Sequence, residues 1–421
     1  MAGPEAPRSS PPDAGRRMRA VIVGGSMGGL FAALLFGRAG WEVAVYERNG
    51  LDIADRGAGI VAQPELFDIL ARVGIDIDAG IGVRVPGRRV LDRQGKIVGE
   101  LALDQVLTSW GRLFGLLRAA LPPSDYHHGK ALVRVEESED AVTAYFDDGT
   151  SDTGDLLIGA DGLFSTVRSQ FVPAARPSYA GYIAWRGLVD EVDLSPETRR
   201  AIGDHFAFCL PPGEQMLGYP VASANESAEP GQRRFNFVWY RPAEETGRLA
   251  ELLTDVDGNR HALSIPPLRI RPPVLDAMRA DAERLLAPAF AEVVRRTGQP
   301  FLQAILDLET PRMLVGARTI LLGDAAFVAR PHVGMGVTKA AGDAAALVAE
   351  IERAPRDLAA ALRRFEESRL AAGRAVVGRA RQLGAYMQAQ ILTVEERRFA
   401  ELHRQPEAVM AETAVASAIA E

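Results

Sequence analysis

The sequence is short of several things, and each shortage removes a class of function. It holds one cysteine, Cys209, so an intrachain disulfide and a cysteine-ligated metal cluster are excluded. Lysine occurs only at Lys96, Lys130 and Lys339. With so much Ala and Gly, that pattern reads as codon bias rather than a binding signal. No apolar run reaches spanning length before Gly or a charge breaks it. Met1 to Arg19 is rich in Pro, Ser and Arg and has no apolar core, so it reads as neither a secretory signal nor a membrane anchor. The net charge is -7, and no basic stripe alternates with stacking aromatics. That argues against a nucleic-acid partner. A soluble cytoplasmic protein with no membrane association is the expectation.

What remains is ordinary globular chemistry. Hydrophobic residues make up 47% and charged residues 24% of 421, enough for two packed domains or one large α/β body with an insert. The first 18 residues read as a flexible tail. Arg19 to Val23 is a short apolar run ending in glycines, which predicts a buried parallel strand. Leu30 to Ala39 predicts a helix stopped by Gly40, and Glu42 to Glu47 the next strand. This is a β-α-β unit. Ala131 to Glu136 and Ala141 to Phe146 alternate as hairpin strands, and Asp155 to Ala160 and Thr319 to Asp324 return to buried-strand texture. Tyr182–Trp185, Phe206–Phe208, Met216–Tyr219 and Arg234–Tyr240 predict a β-rich middle. Val274 to Thr297 reads helical with a break at Pro288, and from Thr338 onward two or three long helices are expected. Those helices serve either as an oligomerisation surface or as cover over the sheet.

Between the first strand and its helix lies Gly24-Gly25-Ser26-Met27-Gly28-Gly29. A Gly-x-Gly-x-x-Gly turn here cradles a pyrophosphate at a helix N-terminus. Gly24 and Gly29 match; Ser26 replaces the middle glycine and is small enough for close approach. Glu47 ends the second strand, where a carboxylate accepts hydrogen bonds from an adenosine ribose and repels a 2'-phosphate. The unit predicts dinucleotide binding.

Two later segments complete a pattern. One is Asp155 to Arg168, centred on Asp161-Gly162; the other is Gly323-Asp324-Ala325-Ala326-Phe327, then Pro331-His332-Val333-Gly334-Met335-Gly336. With the glycine turn, and in this order, they make the ordered chain resemble the single-component FAD-dependent aromatic hydroxylases related to p-hydroxybenzoate hydroxylase. Thr108-Ser109-Trp110, Tyr179 to Gly187 and Thr254 to Arg260 look like the 2,6-dihydroxypyridine 3-hydroxylase branch. The same branch would also supply a tailoring hydroxylase for a pyridinol natural product of the piericidin type; the alternatives are the same chemistry on a phenolic or purine ring, and a non-catalytic flavoprotein.

The resemblance implies an α/β fold: a Rossmann-like FAD-binding domain at 19–175 and 300–355, an inserted β-sheet substrate domain at 176–299, and C-terminal helices at 356–421. It implies FAD as cofactor, NADH or NADPH as co-substrate, and O2 with a small aromatic ring as substrates. Hydroxylation would pass through a flavin C4a-hydroperoxide. A homodimer or higher homo-oligomer is expected. The resemblance assigns Gly24, Ser26, Met27, Gly29, Glu47, Arg48, Arg56, Asp161, Asp324, Pro331, Gly334 and Gly336 to the cofactor. Phe327 stands where the usual aromatic hydroxylase has His, and Trp110 about where relatives carry an Arg, with Arg112 or Arg118 as candidates to compensate. Among substrate-side residues, Tyr219 is the candidate polar contact, His205 a candidate base, and Arg186 either an anchor for an anionic ring oxygen or a domain-interface residue. Cys209 reads as packing, and no metal site is expected.

Overall fold

The structure, a computed structural model, describes residues 16–50, 59–75, 80–266, 268–390 and 393–416. Arg56 and residues 1–15 of the expected tail lie outside the described residues.

Two sheets dominate. The first is five-stranded and parallel, in the order Thr319–Leu321, Leu156–Gly159, Arg19–Val23, Glu42–Glu47, Tyr126–His128. Its strands read as continuous apolar runs because both faces are covered, one by the Met27–Arg38 helix and the other by a three-stranded antiparallel sheet of Leu132–Glu137, Val142–Phe146 and Ser151–Gly154. One row across it, Val45, Ile22, Ile158 and Ile320, has no exposed surface. Burying each such side chain contributes about 1.5–3 kcal/mol. The Met27–Arg38 helix packs against the Gly336–Arg353 helix, so the two helix starts converge beside the parallel sheet.

The second sheet has ten strands and is mostly antiparallel. Its centre is Ser178–Asp190, Arg234–Pro242, Gln215–Val221 and Phe206–Cys209, so all four strands expected in the middle are present. The sheet also takes Gly59–Ala62, Val83–Leu91, Ile97–Ser109 and Phe301–Glu309. The expected boundaries at 176 and 299 therefore do not follow the sheet. Phe206–Cys209 pairs in parallel with Val83–Leu91, a long-range match that local alternation cannot announce.

The expected helix broken at Pro288 is two helices, Pro272–Leu285 and Pro288–Arg296. The second takes Pro at its first position, where a missing N–H costs nothing. Toward the C-terminus, Leu358–Gly384 follows Gly336–Arg353, and two short helices, Val394–Leu402 and Pro406–Glu412, come after. Leu358–Gly384 packs on Gly336–Arg353, and Pro406–Glu412 on Ile97–Ser109, so both cover the chain's own body. No helix among the described residues is long and apolar enough to cross a membrane.

Candidate active site

A cavity of about 430 Å³ lies between the end of the parallel sheet and one face of the large sheet. All three sequence motifs reach it. Ser26 and Met27 enter from the glycine turn, Gly162 from the Asp-Gly segment, and Asp324, Pro331, Gly334 and Gly336 from the last motif. A larger, more open groove of about 610 Å³ lies elsewhere and is bordered by Phe164, Arg260 and His261. It lacks the glycine turn and the Asp324–Gly336 loop, so motif content rather than size identifies the site.

The cofactor end is built from backbone. Gly24 sits at φ +104°, and a Cβ there would lie 2.3 Å from the Ala160 carbonyl oxygen. A Cβ on Gly29 would lie 1.8 Å from the Gly24 carbonyl oxygen. Both positions exclude any side chain. Two helix N-termini open on the cavity. Met27–Arg38 begins after Ser26, and Gly336–Arg353 after Met335; neither cap residue makes a side-chain capping bond. Free N–H groups and the positive end of each helix dipole suit a pyrophosphate and other anionic oxygens.

Asp324 projects its carboxylate into the cavity, accessible from within but enclosed by protein. That enclosure raises its pKa, Lys339 opposes the shift and Asp343 adds to it. A carboxylate so placed gains from a hydroxyl donor such as a sugar alcohol chain. These features fit FAD: an anion cradle, a hydroxyl acceptor, and a cavity whose lining includes Trp110 and the side-chain-free Gly162 and Gly336.

Other assigned residues sit differently. Glu47 is buried beside the turn and does not line the cavity. It accepts hydrogen bonds from the Gly25 amide at 2.9 Å and from Asn49, bracing the turn from behind. Arg48 is exposed. Asp161 turns one oxygen toward the start of the Thr166–Phe171 helix, accepting from Thr166 N at 2.7 Å and Val167 N at 3.2 Å. Its other oxygen has no hydrogen-bond partner, and burial raises its pKa. Its flanking residues Ala160 and Gly162, not Asp161, line the cavity.

The ring end is built from side chains of the large sheet. Arg186, Val238 and Leu217 form one row across three neighbouring strands and face the cavity. Tyr219, Tyr240 and Phe206 lie on the same face. Alternation along Arg234–Pro242 makes Val238 and Tyr240 point inward together. The Phe206 and Tyr219 rings are 4.8 Å apart. Arg186 Nε is buried without a hydrogen-bond partner, so the cavity contains an unsatisfied cationic donor. Burial pushes the Tyr240 hydroxyl up to about 12 and raises that of Tyr219 as well, with Arg186 opposing both shifts. Both tyrosines are neutral donors at ordinary pH.

His205 is a correction. It immediately precedes the cavity-facing Phe206, so the period of two turns it to the other side. Burial and then Arg89 lower its pKa, and it does not line the cavity. Cys209 packs in the core of the large sheet, where burial pushes its thiol up to about 11. Trp110 does line the cavity, stacked on Phe114 at 4.8 Å. Neither arginine named beside it does: Arg112 pairs with Glu226, and Arg118 lies over the Tyr126 ring. Phe327 is buried against Gly373, where a Cβ would meet its ring at 2.4 Å.

Sequence reasoning missed Tyr240, Phe206 as a lining residue, and His332. His332 is buried; its Nε2 lies 2.8 Å from the Tyr182 hydroxyl, and its Nδ1 lies 3.2 Å from the Gln215 side-chain oxygen. Burial, then Arg330 and Arg186, push its pKa down to about 3. Only the inward alternation of the strand hinted at Tyr240; nothing local hinted at the partners of His332.

Comparisons with known proteins show the family. A family model described as FAD binding domain-like matches residues 179–307. The chain is 34% identical over 371 residues to 2,6-dihydroxypyridine 3-monooxygenase of Paenarthrobacter nicotinovorans, covering 88% of this chain and 91% of that one. It superposes on the structure of 2,6-dihydroxypyridine-3-hydroxylase from Arthrobacter nicotinovorans with TM-score 0.83 and 32% identity, covering 91% and 96% of the two chains. It matches Klebsiella pneumoniae HpxO complexed with FAD and uric acid with TM-score 0.76 and 26% identity, covering 96% and 97%. The chain belongs to the single-component FAD-dependent hydroxylases of aromatic and heterocyclic rings, related to 2,6-dihydroxypyridine 3-monooxygenase, which use FAD and NAD(P)H.

Proposed function

We propose that the ring is a hydroxypyridine, bound through its ionised ring oxygen. The observation that carries this is Arg186, a cation with a buried, unpartnered Nε, facing the cavity beside two neutral tyrosine hydroxyls. A hydroxypyridine that loses a proton gains electron density at the ring carbon to be oxygenated. Bound FAD supplies the oxygen chemistry, with electrons from NAD(P)H. The protein's part is to hold and shield. Arg186 stabilises the ring oxyanion, and Tyr219 and Tyr240 donate to ring oxygens or nitrogen. Phe206, Leu217 and Val238 exclude water from the reacting face. With its pKa raised, Tyr219 acts as a donor and not as a base.

A second reading rests on the same wall. Phe206, Leu217 and Val238 are apolar, which favours a pyridinol carrying an apolar substituent, as in a piericidin-type natural product, over a purine or an aminohydroxybenzoate. The test is O2-dependent oxidation of NADH and NADPH by the FAD-loaded protein, with products followed by mass. The candidates are 2,6-dihydroxypyridine, an alkyl-substituted 4-pyridinol and urate. A gain of one oxygen on a pyridine supports the proposal, and the preferred pyridine separates the two readings. Productive turnover of urate alone would overturn both.

A further inference from the structure

The segment after the Pro406–Glu412 helix forms part of the cavity wall, because Thr413 and Ala414 both line it. It is held there by an unusual group. Arg88 is 1% exposed, and among the described residues no carboxylate pairs with it. Its NH1 donates to the Met410 and Thr413 carbonyl oxygens, each at 2.6 Å. Its Nε and NH2 donate to Gln105 Oε1 at 2.9 and 2.7 Å. The guanidinium lies 4.9 Å from the centre of the Phe206 ring, whose other neighbours include Tyr219.

This arrangement has a physical logic. The last carbonyls of a helix have no intrahelical donors and carry the negative end of its dipole. Arg88 supplies both a donor and a charge to them. Ala414 is held by three further bonds. Its N–H donates to the His332 carbonyl at 2.7 Å, and its own carbonyl accepts from Gln63 Nε2 at 3.0 Å and Gln105 Nε2 at 3.2 Å. It has φ +54°, a left-handed conformation that a residue with a Cβ adopts only under constraint. Its Cβ presses on Gly334 of the last motif, where a Cβ would approach it to 2.5 Å.

We propose that Arg88 is a positioning residue. By latching Met410 and Thr413 it fixes Thr413–Ala414 as the closing wall of the ring cavity, and so governs water exclusion. In coupled turnover, O2, NAD(P)H, a proton and a ring C–H give ring C–OH, water and NAD(P)+. In uncoupled turnover, O2, NAD(P)H and a proton give hydrogen peroxide and NAD(P)+. Loosening the wall should shift flux from the first to the second. The inference rests on the ring-hydroxylase reading but not on the identity of the ring.

The experiment uses the full FAD-loaded chain and compares wild type with Arg88→Met, Arg88→Lys and Gln63→Leu. Hydrogen exchange is followed in the peptide spanning residues 406–416, and the ratio of peroxide to product with 2,6-dihydroxypyridine. Arg88→Met should speed exchange there about tenfold, as expected for loss of charge-assisted bonds, and raise the peroxide share. Arg88→Lys should restore much of both, since an ammonium also donates to the two carbonyls. Gln63→Leu, which removes one bond to Ala414 and no charge, should show a smaller change in the same direction and serves if Arg88→Met does not fold. Unchanged exchange in both Arg88→Met and Gln63→Leu, or faster exchange with an unchanged peroxide share, would overturn the proposal. If wild type turns over neither this ring nor the alkyl-substituted 4-pyridinol, the substrate reading fails, and exchange together with iodide quenching of flavin fluorescence still decides whether Arg88 closes the cavity.

Discussion

At the cofactor end of the cavity, residues act mainly through their backbones; at the ring end they act through side chains. Gly24 and Gly29 matter because nothing can be added to them, and the two helix starts matter because their N–H groups are free. Arg186, Tyr219, Tyr240 and Phe206 matter for what they present across adjacent strands. The cofactor end comes from three motifs, each a run of neighbouring residues, that the parallel sheet brings together. The ring end exists only once an antiparallel sheet has set its register. The first kind of site is suited to an invariant ligand, and the second to a ligand that differs among relatives.

The sharpest way to break this comparison is to put a side chain into the cradle. Gly24→Val forces a β-branched residue to φ +104° with its Cβ against the Ala160 carbonyl. Left-handed backbone alone costs about 1–2 kcal/mol, and the clash adds to it, so FAD affinity should fall by about a hundredfold or more. Flavin absorbance after purification and a titration with FAD measure it. Gly37→Ala, on the same helix but away from the cavity, is the control: its Cβ would meet nothing within 4 Å, and the protein should remain yellow. A yellow Gly24→Val protein would mean that the turn is not the cradle.

This contrast also explains what could be read in advance. The β-α-β unit, its glycine turn and the three motifs are local patterns, and they predicted the parallel sheet and the cofactor end. His205 was misplaced because a choice of face depends on where its strand begins, and one residue of shift reverses it. Arg88 and Gln105 lie on paired neighbouring strands, but Ala414 is 309 residues from Gln105 and meets them only through helix docking, for which no local pattern exists. Glu47 was located correctly at the end of its strand, yet its oxygens brace Gly25 and Asn49, a role that only the turn's three-dimensional path reveals.

A smaller effect tests the ring end. On the reading proposed above, Arg186→Met removes a cation that faces the ring from the large sheet. A hydrogen bond to a charged group contributes about 1.5–3 kcal/mol, so the KM for the ring should rise about 10- to 100-fold. Tyr219→Phe removes a neutral donor worth about 1 kcal/mol and should raise it about fivefold. Both proteins should keep FAD, because neither residue belongs to the backbone cradle. Steady-state kinetics beside flavin content separates the outcomes: loss of FAD in either variant would show that the two ends are not independent.

The smallest effect concerns His332, which belongs to both regions. It lies in the Pro331–Gly336 loop of the cofactor end, yet its ring packs among side chains of the large sheet: Tyr182, Gln215 and Tyr240. In the folded protein its pKa lies near 3, against about 6.5 for an unfolded chain. Between those values the unfolded state binds the extra proton, so stability rises with pH across the window. The stability is fully present above about pH 6.5 and is lost as pH falls toward 3, at up to about 1.4 kcal/mol per unit. In His332→Gln, the acid-side fall in melting temperature between pH 6.5 and 5 should be shallower by about 2 °C, while the ordinary carboxylate titration below pH 5 remains. The charged groups facing this ring, Arg330 and Arg186, both oppose its protonation, so neither can mask the effect. An unchanged acid slope would mean that the loop releases His332 to water before it protonates, and that the join between the two regions is looser than its hydrogen bonds imply.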